Sequence, residues 1–431
     1  MRRLLIAAML IFATFALAAC FGEAEPPPFV LGIDAHEIHA TTVDEFLHVF
    51  ATQLATYNEN AYWLWPGNGV IDQFAVLEDT DRGLFWFFYP DGAFREMPLS
   101  EVDELGIMPG GGDEFTGVRD AEGNFILIHL TIDAARLNDR ERIARVVHLG
   151  THDPILWLTH EAFHVPEQTK WATHPAEDLP NLDRRPNLEN VSARLARNLL
   201  QRQLMEALQN PGDEGLILDA LATYRRWKTD YPDDFLDAVD TDRMEGTAFY
   251  FELISGLVVG YPDIIYDWDG IHRAFEILAT YEHFRGIGLV SESYSAGGFA
   301  AAILSRLDLG WKEVLMADPD ATPLSLLYDH FAGRELPPPA SLTQAEIDAV
   351  IAQLHEERLR LIDAAKVGID LFLGLLGDFQ GDEALGLVMM IQMSIDELLA
   401  KLDGLPEDST RESYAFIEEV QNRLRELGFA E

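Results

Sequence analysis

The sequence predicts an α+β protein: a small N-terminal α+β part, a mainly helical body, and a small C-terminal segment. Three observations lead there. Runs dense in aromatic and β-branched residues, "FAVLED", "GLFWFFYPDG" and "GNFILIHLTID", gather between residues 74 and 133. From about residue 150 to 335 apolar residues recur at helical spacing. The stretch "GRELPPPASLTQAE" then interrupts the chain with three prolines, followed by Ser341 and Thr343 as candidate helix caps.

Each element has its own signal. Val43, Phe46, Leu47, Phe50 and Leu54 form one helical stripe, and Thr42 with Glu45 three residues later makes a capping-box start. "GLFWFFYPDG" closes on an Asp-Gly turn. "DPILWLTHEAFHVP" carries the punctuation of a short helix: Asp153 as cap, Pro154 in the first turn, Pro166 at the end. Two amphipathic helices, Asn190–Gln209 and Glu214–Trp227, flank "NPGD". "RMEGTAFYFELISGLVVG" (243–260) reads as a buried helix, and "SAGGFAAAILSRL" (295–307) as a small-faced, close-packing one. Thr343 to Asp363 is helical in pattern. "GIDLFLGLLGDF" and "ALGLVMMIQMS" are taken as a hairpin of strands, although periodicity does not separate strand from buried helix in runs so short. The boundaries that follow are 29–140 for the α+β part, 141–335 for the helical part and 341–431 for a C-terminal α or α+β segment.

Composition narrows the function. At 431 residues and 48% hydrophobic, the chain can bury one large core or two modest ones. Against 31 basic residues stand 73 acidic ones, a formal charge of -42. Such a field repels phosphate backbones and anionic headgroups, so no nucleic-acid partner is expected.

The opening "MRRLLIAAMLIFATFALAAC" stands apart from the fold. Arg2 and Arg3 make a positive start, Leu4 to Leu17 an apolar run, and Ala18-Ala19 a small-residue processing site. The run is short for a membrane span. It resembles a bacterial lipoprotein signal (1–19), with "LAAC" as the lipobox. Cys20, the single cysteine, would then be acylated and would anchor an exported body to the cell envelope, at the outer membrane or cell surface. "EAEPPP" completes a stiff tether over residues 20–28.

The chemistry concentrates at "THEAFH". On one helix His160 and His164 lie a turn apart on one face, where both imidazoles meet a single ion. Glu161 lies on the adjoining face, placed to take a proton from water on that ion. The other side chains are apolar (Ile155, Leu156, Trp157, Leu158, Phe163, Val165), so the helix belongs in a core where polar groups require partners. With 13 histidines in the chain, His-Glu-x-x-His arises by chance roughly 0.03 times.

Here the chain resembles the zincin metallopeptidases, and within them the gluzincins, whose third ligand is a glutamate on a second helix. The resemblance spans about residues 140 to 330. It implies a zincin-like fold, a Zn2+ cofactor, a peptide or protein substrate, and Glu245 of "EGTAFYFE" as third ligand, followed by small residues that let its helix approach the first. "SYSAGGFAAAILSRLDLGWKEVL" is similar to the segment that follows the ligand helix in aminopeptidase-like members, which implies Tyr294 as donor to a developing oxyanion. The spacing from His164 to Glu245 is long for the family. Phe249 stands where thermolysin-like members keep an aspartate that orients a metal histidine, which leaves Glu252, Asp242 or a backbone carbonyl for that task. Trp311 reads as packing and Lys312 as surface.

Two functions of different class stay open. One is a lipid-anchored zinc hydrolase, a peptidase with Glu161 as general base. The other is an envelope binding lipoprotein on a zincin-like scaffold whose metal is structural or absent. Glu161 discriminates, because a purely structural metal site has no use for a carboxylate there. The remaining candidates, "HEIH" (36–39), His148, His152 and His283, are read as structural or solvated.

Overall fold

A computed structural model describes residues 40–66, 74–109, 115–119, 125–139, 143, 149, 151, 153–165, 167–172, 190–261, 268–279, 291–376, 382–402, 407–427 and 429. The signal-like start with Cys20, "HEIH", His148, His152, Pro166 and His283 lie outside them. The described residues are mostly helical, with one small mixed sheet near the N-terminus, compatible with an α+β class. The described residues divide into two compact units, one drawn from 40–172 and 196–341, the other from 190–195 and 342–429.

In the larger unit the chain enters through α1 (Val43–Leu64), started by the Thr42–Glu45 capping box. Five strands follow: β1 (Ala75–Asp79), β2 (Leu84–Phe88), β3 (Phe94–Met97), β4 (Phe115–Arg119) and β5 (Phe125–Ile132). A short helix, α2 (Leu99–Glu104), separates β3 from β4. The sheet order is β3-β2-β1-β5-β4, with β1 and β5 parallel and every other pair antiparallel. The Asp91-Gly92 turn joins β2 to β3, with Gly92 at a φ of 80° that a side chain would strain. β3 and β4 have too few apolar residues to be visible as strands in sequence.

The strand alternation gives the sheet two buried faces. One carries Val76, Phe85, Met97, Val118 and Leu127, closed by Val102 of α2 and by Ile107. The other meets helices: Phe88 packs edge-on against Phe50 of α1 at 4.9 Å between centroids, and Phe115 lies 6.2 Å from Trp157 of the motif helix. After the one-turn α3 (Ala134–Leu137) comes that motif helix, α4 (Asp153–His164), which packs on β5 and β4. Asp153 is its first residue, inside the helix rather than outside as a cap.

Helices complete the unit: α5 (Val191–Gln209), which belongs to it from Ala196 on, α6 (Glu214–Asp230), α7 (Pro232–Gly260), α8 (Trp268–Leu278), α9 (Ser291–Arg306), α10 (Trp311–Ala317) and α11 (Pro323–His330). α7 is the centre, with α1, α4, α6, α8, α9 and α11 all against it. Its buried helix begins eleven residues before the sequence reading placed it, at Pro232 in the first turn.

The smaller unit holds α12 (Gln344–Leu376), α13 (Asp382–Leu402) and α14 (Glu407–Glu426). The expected strand hairpin is therefore wrong: "GIDLFLGLLGDF" begins within α12, and "ALGLVMMIQMS" lies in α13. Ala365, Ile369 and Leu376 are buried, then Ala384, Leu387, Ile391, Ile395 and Leu398, at steps of three, four or seven residues within each helix. Leu371, Leu385, Met389 and Met393 between them are exposed. A strand alternating its faces cannot produce that spacing, whereas a helix with one buried stripe does. Among the described helices, none is long and apolar enough to cross a membrane.

Candidate metal centre

α4 forms because Pro154 suits its first turn and because Ile155, Leu156, Leu158, Ala162 and Phe163 bury one face. Phe163 stacks on Phe251 of α7 at 4.4 Å and meets Trp65 edge-on at 4.9 Å, which holds the last turn in place. That turn presents His160, buried, and His164, half-buried, with ring centroids 4.7 Å apart. From α7, Glu245 reaches both: its Oε2 is 3.3 Å from His160 Nε2 and 3.2 Å from His164 Nε2. The two Nε2 atoms are 3.0 Å apart.

The opposite ring nitrogens decide what these contacts are. His160 Nδ1 lies 2.9 Å from Glu252 Oε2, so Nδ1–H donates there and Nε2 keeps its lone pair. His164 Nδ1 lies 2.6 Å from Gln168 Oε1. Gln168 Nε2 donates to the Met244 carbonyl at 2.8 Å, which turns Oε1 towards the histidine. His164 Nδ1–H therefore donates as well, and its Nε2 is also a bare acceptor. With both rings neutral, two nitrogen lone pairs and a carboxylate oxygen converge at 3.0–3.3 Å. Ligands held tetrahedrally at Zn–N and Zn–O lengths of roughly 2.0–2.1 Å stand about 3.3 Å from one another. The donor set fits zinc in number, type and spacing.

The neutral-ring arrangement without a cation is unfavourable, and the ionisation of the groups shows it. Burial disfavours charge on His160, but hydrogen bonds to Glu245 and Glu252 outweigh it and lift the imidazole well above its ordinary pKa. His164 is raised too, with the Glu245 charge overcoming burial. Burial would raise Glu245, yet the two histidines hold it well below the usual carboxylate range. The cluster thus attracts protons to the place where a cation would otherwise sit.

Glu161 is different. Ligating atoms of His160, Glu161 and His164 can be chosen within 4.8 Å of one another. The Glu245 oxygen, 3.2–3.3 Å from both Nε2 atoms, is a second carboxylate within reach of the same point. Burial raises the Glu161 carboxyl above the ordinary range, against the pull of the two histidines. Tyr294, at the start of α9, stands edge-on to the His160 ring at 5.5 Å and stacks on Phe249 at 5.7 Å. Burial and then the charges of Glu245, Glu161 and Glu252 push its phenol well above its ordinary pKa, so the hydroxyl keeps its proton.

All five sequence-derived site residues, His160, Glu161, His164, Glu245 and Tyr294, are brought to one place. Of the three options for orienting a histidine, Glu252 holds His160, while Asp242 is engaged by Arg197. Gln168 was missed: it lies beyond the helix end, four residues after His164, where no motif marks it. The role expected of the small residues also needs correction. A Cβ on Gly246 would stand 2.6 Å from Gly297 Cα and 2.8 Å from the Ser293 carbonyl, so Gly246 lets α7 touch α9, the tyrosine helix. Close approach to α4 is at Gly256, where a Cβ would meet Leu156 Cδ2 at 2.6 Å. Lys312 is no plain surface residue either. Its Nζ donates to the Leu64 carbonyl at 2.8 Å and lies 5.0–5.9 Å from the ring centres of Trp65, Tyr250 and Trp311.

Comparison of the chain with family models, with curated proteins and with solved structures found no match.

Proposed function

We propose that the protein is a zinc-dependent hydrolase acting on peptide bonds, anchored to the cell envelope through Cys20. The observation that carries this is the triangle of bare donors on His160, His164 and Glu245, with a raised carboxyl on Glu161 beside it. Zinc, when bound, supplies Lewis acidity, polarising a carbonyl and acidifying water towards a pKa of about 7.

The protein's own groups do the rest. Glu252 and Gln168 fix both rings with Nε2 inward. Glu161, desolvated, is a stronger base than a surface glutamate; it accepts the water proton and delivers it to the leaving amine. Tyr294 keeps its proton and donates to the oxygen that gains charge as the carbonyl is attacked. A structural metal site has no need of Glu161, which sets this reading above a binding lipoprotein. The resemblance to gluzincins selects peptides among hydrolysable substrates.

The test is hydrolysis of a mixed peptide pool, followed by mass spectrometry, by zinc-loaded protein and by its Glu161→Gln variant. Cleavage by the former and not the latter, at equal zinc content, supports the reading. Equal cleavage by both, or by neither, removes it.

A further inference from the structure

Next to Glu245 and Tyr294, one guanidinium bridges the two helices that bring them to the site. Arg197 of α5 is fully buried. Its Nη1 donates to Asp242 Oδ2 at 2.8 Å and its Nη2 to Asp242 Oδ1 at 2.5 Å, a bidentate fork. Nη2 also lies 3.4 Å from Ser293 Oγ, and Nε is 3.7 Å from Glu292 Oε2. The flat face of the group rests on the Trp227 indole at 4.5 Å, and that indole donates to Asp234 of α7 at 2.6 Å.

The positions in sequence matter more than the number of bonds. Asp242 is three residues before Glu245, one helical turn along α7. Ser293 immediately precedes Tyr294 on α9. The backbones of α7 and α9 touch in the same place, since a Cβ on Gly297 would stand 2.6 Å from the Asp242 carbonyl. The glycines set how close the helices come. Phe249 against Tyr294 and Phe299, and the Tyr250–Ser305 hydroxyl pair, give the two helices further contacts, but none of these is made by Asp242 or Ser293. A planar fork that engages both carboxylate oxygens of one helix and a hydroxyl of the other ties those two positions together. A buried ion pair is weak evidence for stability over apolar packing, so the geometry it imposes is the feature to test here.

We propose that Arg197 is a positioning residue for the metal centre: through Asp242 and Ser293 it fixes where Glu245 and Tyr294 stand relative to each other. Its partners are Asp242, Ser293, Glu292 and Trp227 rather than His160, His164 or Glu245 themselves. The proposal rests on the zinc reading above, and its test separates the two.

The experiment titrates zinc into metal-free full-length protein against a competing chelator, for wild type, Arg197→Lys and Asp242→Asn. Cobalt replaces zinc in a parallel series so that visible absorption reports the ligand geometry. Lysine keeps the charge and loses the fork; asparagine keeps the shape and loses half the pairing. The expected result is zinc affinity weakened about 10–100-fold in the folded variants, the range typical of lost orienting contacts, with an altered cobalt spectrum. Variants that melt earlier yet bind zinc as tightly as wild type, with its cobalt spectrum, would overturn the proposal and leave Arg197 a packing residue. Should Arg197→Lys not fold, Asp242→Asn alone decides by the same criteria. Failure of wild type itself to bind zinc overturns the underlying reading instead, and with it this one.

Discussion

The closest backbone contact near the site is at Gly246, and adding one methyl there tests the packing directly. A Cβ at Gly246 would sit 2.6 Å from Gly297 Cα and 3.1 Å from its carbonyl carbon. Carbon atoms pack best at about 3.5–4.0 Å, so Gly246→Ala forces α7 and α9 apart by roughly 1 Å. The obstructing atoms are backbone on both sides and have no rotamer to change. Overpacking of this kind costs about 1–3 kcal/mol or more. Alanine's better helix propensity returns up to about 1 kcal/mol. The net expectation is a loss of about 1–2 kcal/mol, seen as a fall of several degrees in melting temperature. Because Glu245 is the adjacent residue, zinc affinity should fall by more than about tenfold. Two controls bracket the result. Gly212→Ala, with nothing within 4 Å of its Cβ, should be neutral or slightly stabilising. Gly256→Ala meets side chains alone, Leu156 Cδ2 at 2.6 Å and Leu149 Cδ1 at 3.4 Å, so it should cost less than Gly246→Ala. A Gly246→Ala protein that melts and binds zinc like wild type would show that the helices are not in backbone contact, and the reasoning would fail.

Three further outcomes follow from the same structure. Gln168→Leu removes the acceptor that turns His164, and should weaken zinc binding about 10–100-fold with little change in melting temperature; an unchanged affinity would mean that Gln168 does not set the tautomer. Zinc binding must expel protons held by His160 and His164, whose folded pKa values are raised, so affinity should tighten and proton release shrink as pH rises from 6 to 8 in unbuffered calorimetry. Burial lowers the Lys312 ammonium from 10.5 to about 8. The unfolded chain therefore binds more protons between these values, and stability should rise with pH across that window, by at most about 3 kcal/mol from this group. The three aromatic rings around Nζ favour the charged form and make this an upper figure. Lys312→Met should flatten the rise, and identical pH profiles for both proteins would contradict the assignment.

What the sequence made legible was local. The Thr42–Glu45 capping box, the Asp91-Gly92 turn and the paired histidines of α4 are set by residues within one turn of each other, and each stands where its pattern places it. Glu245 and Tyr294 came from resemblance and arrive at the histidines because α7 lies against both α4 and α9. The strand hairpin failed because Leu371, Leu385, Met389 and Met393 are apolar yet exposed, which blurs the stripe that separates helix from strand. Gln168, Arg197 and Lys312 were invisible for another reason. Each depends on a partner 45 or more residues away: Gln168 is aimed at His164 by Met244, Arg197 pairs with Asp242, and Lys312 donates to Leu64. No periodicity encodes such pairs, and only the packed helices bring them together.

The central claim is that His160, His164 and Glu245 together hold a zinc ion. Metal content of purified wild-type protein, beside Glu245→Ala, tests it most directly. The account expects about one zinc per chain in wild type and most of it lost from the variant. Wild type that holds no zinc after exposure and removal of excess, or a variant that holds as much as wild type, would contradict it.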